Sequence, residues 1–182
     1  MKLLIFSDIH GSLPAARRIT ALHAAHAPEA VLILGDILYH GPRNPLPEEY
    51  NPKAVAEILT PLSSRIIAVR GNCDSDVDAM VLPFPIAPEF IWILDNGLRI
   101  FATHGHIFSP SALPALHQGD VLLFGHTHIP LARTTREGVH LGNPGSLALP
   151  KEDSPPCYGV LENGVFTVFT DQNEVFLQLD CG

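Results

Sequence analysis

At 182 residues with 46% hydrophobic content, the chain is long enough to bury a core of ordinary size as one domain spanning residues 1–182. Its formal net charge of −8, with 11 Lys and Arg against 19 Asp and Glu, argues against a broad cationic footprint for nucleic acid or an anionic membrane. Three cysteines, Cys73, Cys157 and Cys181, are odd in number and lack paired spacing, which fits free thiols in a reducing, cytoplasmic compartment better than a disulfide framework.

The opening run Met1 to Phe6 is apolar but meets Ser7-Asp8 too soon for a signal peptide or a membrane span, and reads as a first buried strand. Ser12 can cap a helix with Pro14 in its first turn, and Ala15, Ile19 and Leu22 then recur on one face. Val31 to Leu34 is a second strand, and Asn51-Pro52 opens a second helix that carries Val55, Ile58, Leu59 and Leu62. Ile66 to Val69 follows as a third strand. The order to this point is βαβαβ, with each strand apolar throughout and so expected to be central and covered on both faces.

Beyond Asn72, Pro83, Pro85 and Pro88 lead to a strand at Phe90 to Leu94 and a turn at Asp95-Asn96-Gly97, so hairpins are expected to replace crossovers. Phe90 and Trp92 are expected to pack between sheets. Ile100 to Ala102 and Val121 to Phe124 are further central strands. Tyr158 to Leu161, Val165 to Phe169 and Val175 to Leu179 carry antiparallel strand signals around an Asn163-Gly164 turn. The pattern predicts a mixed α/β protein of two packed sheets flanked by helices. The Pro-punctuated stretch from Leu38 to Asn51 is a long loop, and loops of that length in compact domains usually serve function.

Five polar clusters close five of these apolar runs: Ser7-Asp8-Ile9-His10-Gly11, Gly35-Asp36, Gly71-Asn72-Cys73-Asp74, Thr103-His104-Gly105-His106 and Gly125-His126-Thr127-His128. One edge of a sheet would then gather a dense set of oxygen and nitrogen donors. Asp8 and His10 are two apart, so an extended backbone would point both the same way, and His126 and His128 repeat the spacing. A set of Asp, Asn and His suits manganese, iron, cobalt or zinc and lacks the thiolates of a structural zinc knuckle. Seven donors exceed the needs of one tetrahedral ion. Two divalent ions about 4 Å apart and sharing one carboxylate would use them all, with Asp36 as the candidate bridge.

In this order, Asp-x-His, Gly-Asp, Gly-Asn-x-Asp, His-Gly-His and Gly-His-x-His resemble the calcineurin-like metallophosphoesterases, and Gly142-Asn143-Pro144-Gly145-Ser146 extends the match. The stretches Asp8 to Pro14, His40 to Asn44 and Arg70 to Asp74 look like the small bacterial YfcE-type phosphodiesterases within that family. The resemblance implies a four-layer α/β/β/α sandwich of two mixed sheets with a dinuclear site, typically manganese-supported, with zinc, iron, cobalt or nickel as the alternatives. It would place Asp8, His10 and His128 on one ion, Asn72, His104 and His126 on the other, and Asp36 between them. The implied reaction is hydrolysis of a small phosphodiester by a bridging hydroxide.

Beside the ligand Asn72, the wider family commonly has histidine at the position of Cys73, acting with the following Asp74 as leaving-group acid. A thiol is a poor hydrogen-bond donor to a departing alkoxide, so esters with good leaving groups are expected to be favoured. Asp74 either orients a water or accepts backbone hydrogen bonds in its loop. His106 is expected to orient a neighbour of the site, whereas His23, His26 and His140 serve packing or solvent. Arg43 and Asn44 either reach a substrate phosphate or form a solvated turn, and Asn143 and Ser146 serve turn geometry. The competing reading is a non-catalytic, metal-binding protein-interaction scaffold on the same fold. A nuclease is disfavoured by the acidic composition. The Pro-rich loop and the C-terminal hairpin are the surfaces available to a homo-oligomer.

Overall fold

Alternation of side chains along each strand sorts the apolar residues into layers. The computed structural model describes residues 1–182. Strand β1 (Lys2–Phe6), helix α1 (Leu13–His26), β2 (Ala30–Ile33), helix α2 (Pro52–Leu59) and β3 (Ile66–Ala68) form the expected βαβαβ unit. The remaining elements are a 3-10 helix at Thr60–Arg65, which carries Leu62 in place of the second helix expected to do so, helix α3 (Asp76–Val81) and strands β4 (Phe90–Asp95), β5 (Leu98–Thr103), β6 (Val121–Leu123), β7 (Leu131–Thr134), β8 (His140–Asn143), β9 (Cys157–Glu162), β10 (Val165–Thr170) and β11 (Val175–Asp180). The first sheet has the order β11-β10-β9-β1-β2-β3 and the second β4-β5-β6-β8-β7. Both mix parallel and antiparallel pairs, as the sandwich reading requires.

The helices start where their caps dictate. Ser12 Oγ accepts from the Ala15 N–H, and Asn51 Oδ1 accepts from that of Ala54 at 3.1 Å, each followed by proline in the first turn. Ala16, Ile19 and Leu22 of α1 and Val55 and Leu59 of α2 cover Leu4, Phe6, Val31 and Ile33 on one face of the first sheet. Leu3, Ile5, Leu32 and Leu34 on the opposite face meet Ile100, Ala102, Val121 and Leu123 of the second sheet. These residues are fully buried or nearly so, and truncating one such leucine or isoleucine to alanine costs about 2–5 kcal/mol. On the far face of the second sheet, Phe101, Leu122, Phe124 and Leu141 are covered by Phe108 and Leu116 from the 104–120 segment, which contains no helix.

Several expectations need correction. β3 is an edge strand, so Ile67 is 37% exposed despite its apolar run. Phe90 and Trp92 do not pack between the sheets. Ile91 and Ile93 take the inner face of β4, and its two-residue period turns Phe90 and Trp92 outward. There Phe90 stacks on Phe101, and Arg99 lies over the Trp92 ring. Hairpins do not fully replace crossovers: β4–β5 is one, but β5, β6 and β8 run parallel. Helix α3 buries no side chain and so gives no apolar period in the sequence, although Ser75 and Asp78 form a reciprocal capping box at its start.

Candidate metal centre

The five polar clusters follow the C-terminal ends of β1, β2 and β3 in the first sheet and of β5 and β6 in the second. They therefore meet across the sandwich, rather than along one sheet edge as the sequence suggested. β1 to β3 are mutually parallel, as are β5 and β6, so within each sheet the loops emerge at the same end.

The backbone in these loops is not extended, contrary to expectation. Asp8, His10, Asp36, His126 and His128 all have positive φ, between 50° and 65°. Non-glycine residues enter this region at a cost of about 1–3 kcal/mol each, and only where the surroundings enforce it. Interloop hydrogen bonds supply that enforcement. The Asp8 N–H donates to Gly35 O at 3.1 Å, that of His10 to Asp36 O at 2.9 Å and that of Gly125 to His104 O at 2.7 Å. The loops also approach too closely for a side chain: a Cβ on Gly71 would stand 2.1 Å from Asp36 Oδ1, and one on Gly125 1.8 Å from Ser7 Oγ.

Three of the imidazoles have their tautomer set by a backbone carbonyl. Nδ1 of His10 donates to Tyr39 O at 2.8 Å, that of His104 to Leu34 O at 2.7 Å and that of His128 to Leu149 O at 2.6 Å. In neutral rings each Nε2 is then a bare lone pair, and each points at other acceptors. His10 Nε2 lies 3.3 Å from His128 Nε2, and Asp8 Oδ1 is 3.4 Å from His128 Nε2 and 3.7 Å from His10 Nε2. His104 Nε2 lies 3.1 Å from Asn72 Oδ1 and 3.4 Å from Asp36 Oδ2. Asp36 Oδ2 is also 3.7 Å from His10 Nε2, which places this oxygen between the two groups. Asp8 Oδ1 is buried without a hydrogen-bond partner. With the rings neutral these convergent acceptors have no donor among them and call for cations, so the set fits divalent metal ions.

Three triads bring their ligand atoms within 4.8 Å of one another: Asp8, His10 and His128; Asp8, Asp36 and His104; and His10, Asp36 and Cys73. His126 stands beside them, its ring 5.1 Å from that of His104, and its N–H donates to Asp8 Oδ2 at 2.9 Å. In the metal-free protein protons take up part of the unbalanced charge. Burial alone would lower the His104 pKa, but the adjoining Asp36 carboxylate and the charge of Asp8 raise it to about 9. Burial would raise Asp36, yet His104 and the Cys73 N–H hold it well below the usual carboxylate range.

Asp74 accepts from three backbone donors: the N–H groups of Asp36 at 2.8 Å, Ile37 at 2.8 Å and Gly71 at 2.7 Å. Of its two sequence readings, the geometry favours the backbone acceptor, because both oxygens are engaged in fastening the Asp36 loop to the Asn72 loop. Asn143 and Ser146 do more for the site than turn geometry suggested. Asn143 Nδ2 donates to Gly125 O at 2.9 Å and to Thr127 Oγ1 at 3.1 Å, which fixes the His126–His128 loop. Ser146 Oγ donates to Asp8 O at 2.9 Å and accepts from the N–H of Leu149 at 2.9 Å. Their position in a motif that extends the family match was the signal available.

The Cys73 N–H donates to Asp36 Oδ1 at 2.8 Å, and burial together with the Asp36 charge pushes its thiol up to about 12. His106 is exposed, with its ring 5.4 Å from that of His104. His26 and His140 serve elsewhere, bonded to Tyr158 Oη at 3.0 Å and Thr134 Oγ1 at 3.0 Å, and His23 lies on α1. A cleft of about 970 Å³ opens over the ligands, bounded by the 39–45 loop, the 70–76 segment, His126, His128 and Lys151. All three cysteines are unpaired, and no helix is long and apolar enough to cross a membrane.

Residues 1–164 match the model of the calcineurin-like phosphoesterase superfamily domain. The chain is 52% identical over 168 residues to phosphodiesterase YfcE of Escherichia coli (strain K12), covering 92% of this chain and 91% of that protein. It is 29% identical over 136 residues to phosphodiesterase MJ0936 of Methanocaldococcus jannaschii, covering 70% and 74%. The solved structure of the E. coli phosphoesterase YfcE superposes with a TM-score of 0.97 at 48% identity over the whole of both chains.

Proposed function

The chain belongs to the calcineurin-like phosphoesterase superfamily, and on that premise we propose that it is a metal-dependent phosphodiesterase acting on small phosphodiesters. The observation that carries this reading is the convergence of ligand atoms of His10, His104, His128, Asp8, Asp36 and Asn72 to 3.1–3.7 Å of one another, with every one an acceptor when the imidazoles are neutral. Asp8, His10 and His128 would hold one divalent ion, Asn72, His104 and His126 the other, with Asp36 bridging. The chemistry such a pair supplies when bound is a lowered pKa for water and neutralisation of charge on phosphoryl oxygens. Manganese is the first choice for this oxygen and nitrogen set, and zinc, iron, cobalt and nickel also suit it.

The protein's own part is positioning. Carbonyls of Tyr39, Leu34 and Leu149 orient the imidazoles, Asp74 ties two ligand loops together, and Asn143 ties down a third. By the family pattern, Cys73 would stand beside the leaving group. A thiol held protonated by burial and by Asp36 is a weak donor to an alkoxide, so phenol-like esters should react faster. The three unpaired cysteines support a reducing, cytoplasmic setting. We read residues 1–182 as one domain.

A second reading, a metal-binding interaction scaffold on the same fold, is favoured by the exposed row of Phe90, Trp92 and Leu94 on the edge strand β4; the same row would suit a homo-oligomer. Chelation followed by manganese addition decides. Regained turnover of an activated diester supports the enzyme, and a metal-loaded but inert protein supports the scaffold.

A further inference from the structure

Three cations line the cleft over the ligand cluster: Arg43, Arg70 and Lys151. Arg70 is committed, with Nη1 3.1 Å from Asp76 Oδ1 and Nε donating to the Asp74 carbonyl at 3.2 Å. Arg43 and Lys151 have no carboxylate within ion-pair distance; Arg65, Arg133 and Arg136 share that property but do not line the cleft, whereas Lys2, Arg17, Arg18, Lys53 and Arg99 are paired. Of the five cations without a carboxylate partner in this chain of formal charge −8, Arg43 and Lys151 are the two that face the cleft over the ligand cluster.

Both are carried on backbone tied to the ligand cluster. The turn bearing Arg43 is closed by Asn44, whose N–H donates to Gly41 O at 3.3 Å and whose Nδ2 donates to His40 O at 2.9 Å. One residue before that turn, Tyr39 O accepts from His10 Nδ1. Lys151 lies two residues past Leu149, whose carbonyl accepts from His128 Nδ1. Each cation is thus held by a segment that also orients a ligand histidine.

We propose that Arg43 and Lys151 form a second anion subsite, so that the substrate is a phosphodiester carrying a further anionic group, a phosphate or carboxylate, on the arm that does not leave. The inference rests on the phosphodiesterase reading. A diester phosphate bears one negative charge, which the metal pair already answers, so two more cations match a separate anion. A cleft of about 970 Å³ has room for such an arm. Tyr39 is the only phenyl-type ring in its lining, which offers no aromatic sandwich for a base and directs recognition to charge. Guanidinium and ammonium together suit a phosphate, the first as a bidentate fork and the second as a point charge.

The test compares two esters with the same leaving group, para-nitrophenyl phosphopropyl phosphate and para-nitrophenyl butyl phosphate, on the manganese-loaded full chain. The wild type should favour the phosphopropyl ester by at least about tenfold in kcat/KM, mainly through KM. R43Q and K151Q should each reduce that ratio severalfold, and the double variant should bring it to about one. A wild-type ratio near one, or a ratio that survives in the double variant, overturns the subsite. If neither ester is turned over, the phosphodiesterase reading fails, and calorimetry still judges the subsite. The bisphosphate of propanediol should bind the wild type at least about tenfold more tightly than the double variant, with no such gap for propyl phosphate. Equal gaps for the two probes would overturn it.

Discussion

His10 and His128, 118 residues apart in sequence, face each other through Nε2 atoms 3.3 Å apart, and each is fixed in that tautomer by a backbone carbonyl on its Nδ1. Two lone pairs at that distance repel unless a proton or a metal ion lies between them, so metal binding should add stability to the folded chain. At free metal about 100-fold above Kd the gain is about 2.7 kcal/mol, which for a chain of this size raises Tm by roughly 5–10 °C. Thermal unfolding with and without manganese checks this. An unchanged Tm at saturating metal would mean that the site binds nothing.

Protonation should compete with that gain. His104 has a pKa near 6.5 when unfolded and about 9 in the metal-free fold, so its pairing with Asp36 stabilises fully below pH 6.5 and is lost as pH rises through about 9. In chelator, Tm is expected to fall over that window. Metal displaces the proton, so the increment in Tm on metal loading should grow over the same window. His104→Gln should flatten the chelator profile. A wild-type profile already flat between pH 6.5 and 9 would contradict the assignment.

Asn143→Ala leaves every proposed ligand in place but frees Gly125 O and Thr127 Oγ1 from their donor. Removing this buried amide should cost about 1–3 kcal/mol and weaken metal binding by roughly 10–100-fold. Urea unfolding and metal titration measure the two separately. Lost stability with unchanged metal affinity would make Asn143 a purely structural residue.

Cys73→His replaces a thiol held at about 12 by an imidazole that can protonate a leaving oxygen. The expected change is one of selectivity: esters with poor leaving groups should speed up relative to nitrophenyl esters, by roughly 10-fold or more. An unchanged ratio removes Cys73 from the mechanism.

How far the sequence carried this account depends on the kind of signal. Caps at Ser12 and Asn51 and the apolar runs of β1, β2, β5 and β6 are local, and the structure places them where pattern alone did. Burial of β3 was overestimated because Ile67 faces solvent only by virtue of the strand's edge position, which is a property of the whole sheet. The seven candidate ligands were legible as spaced polar clusters. Their geometry was not, since positive φ at Asp8, His10, His126 and His128 is imposed by hydrogen bonds from loops up to 138 residues away, such as that from Ser146 to Asp8. For the same reason the anchoring roles of Asn143 and Ser146 could not be read from their turn.

The most direct test of the central claim is anomalous diffraction from crystals of manganese-loaded protein. Two peaks should appear, one bounded by Asp8, His10 and His128 and the other by Asn72, His104 and His126, with Asp36 in reach of both. A single peak, or none within coordination distance of Asp36, would contradict the dinuclear account.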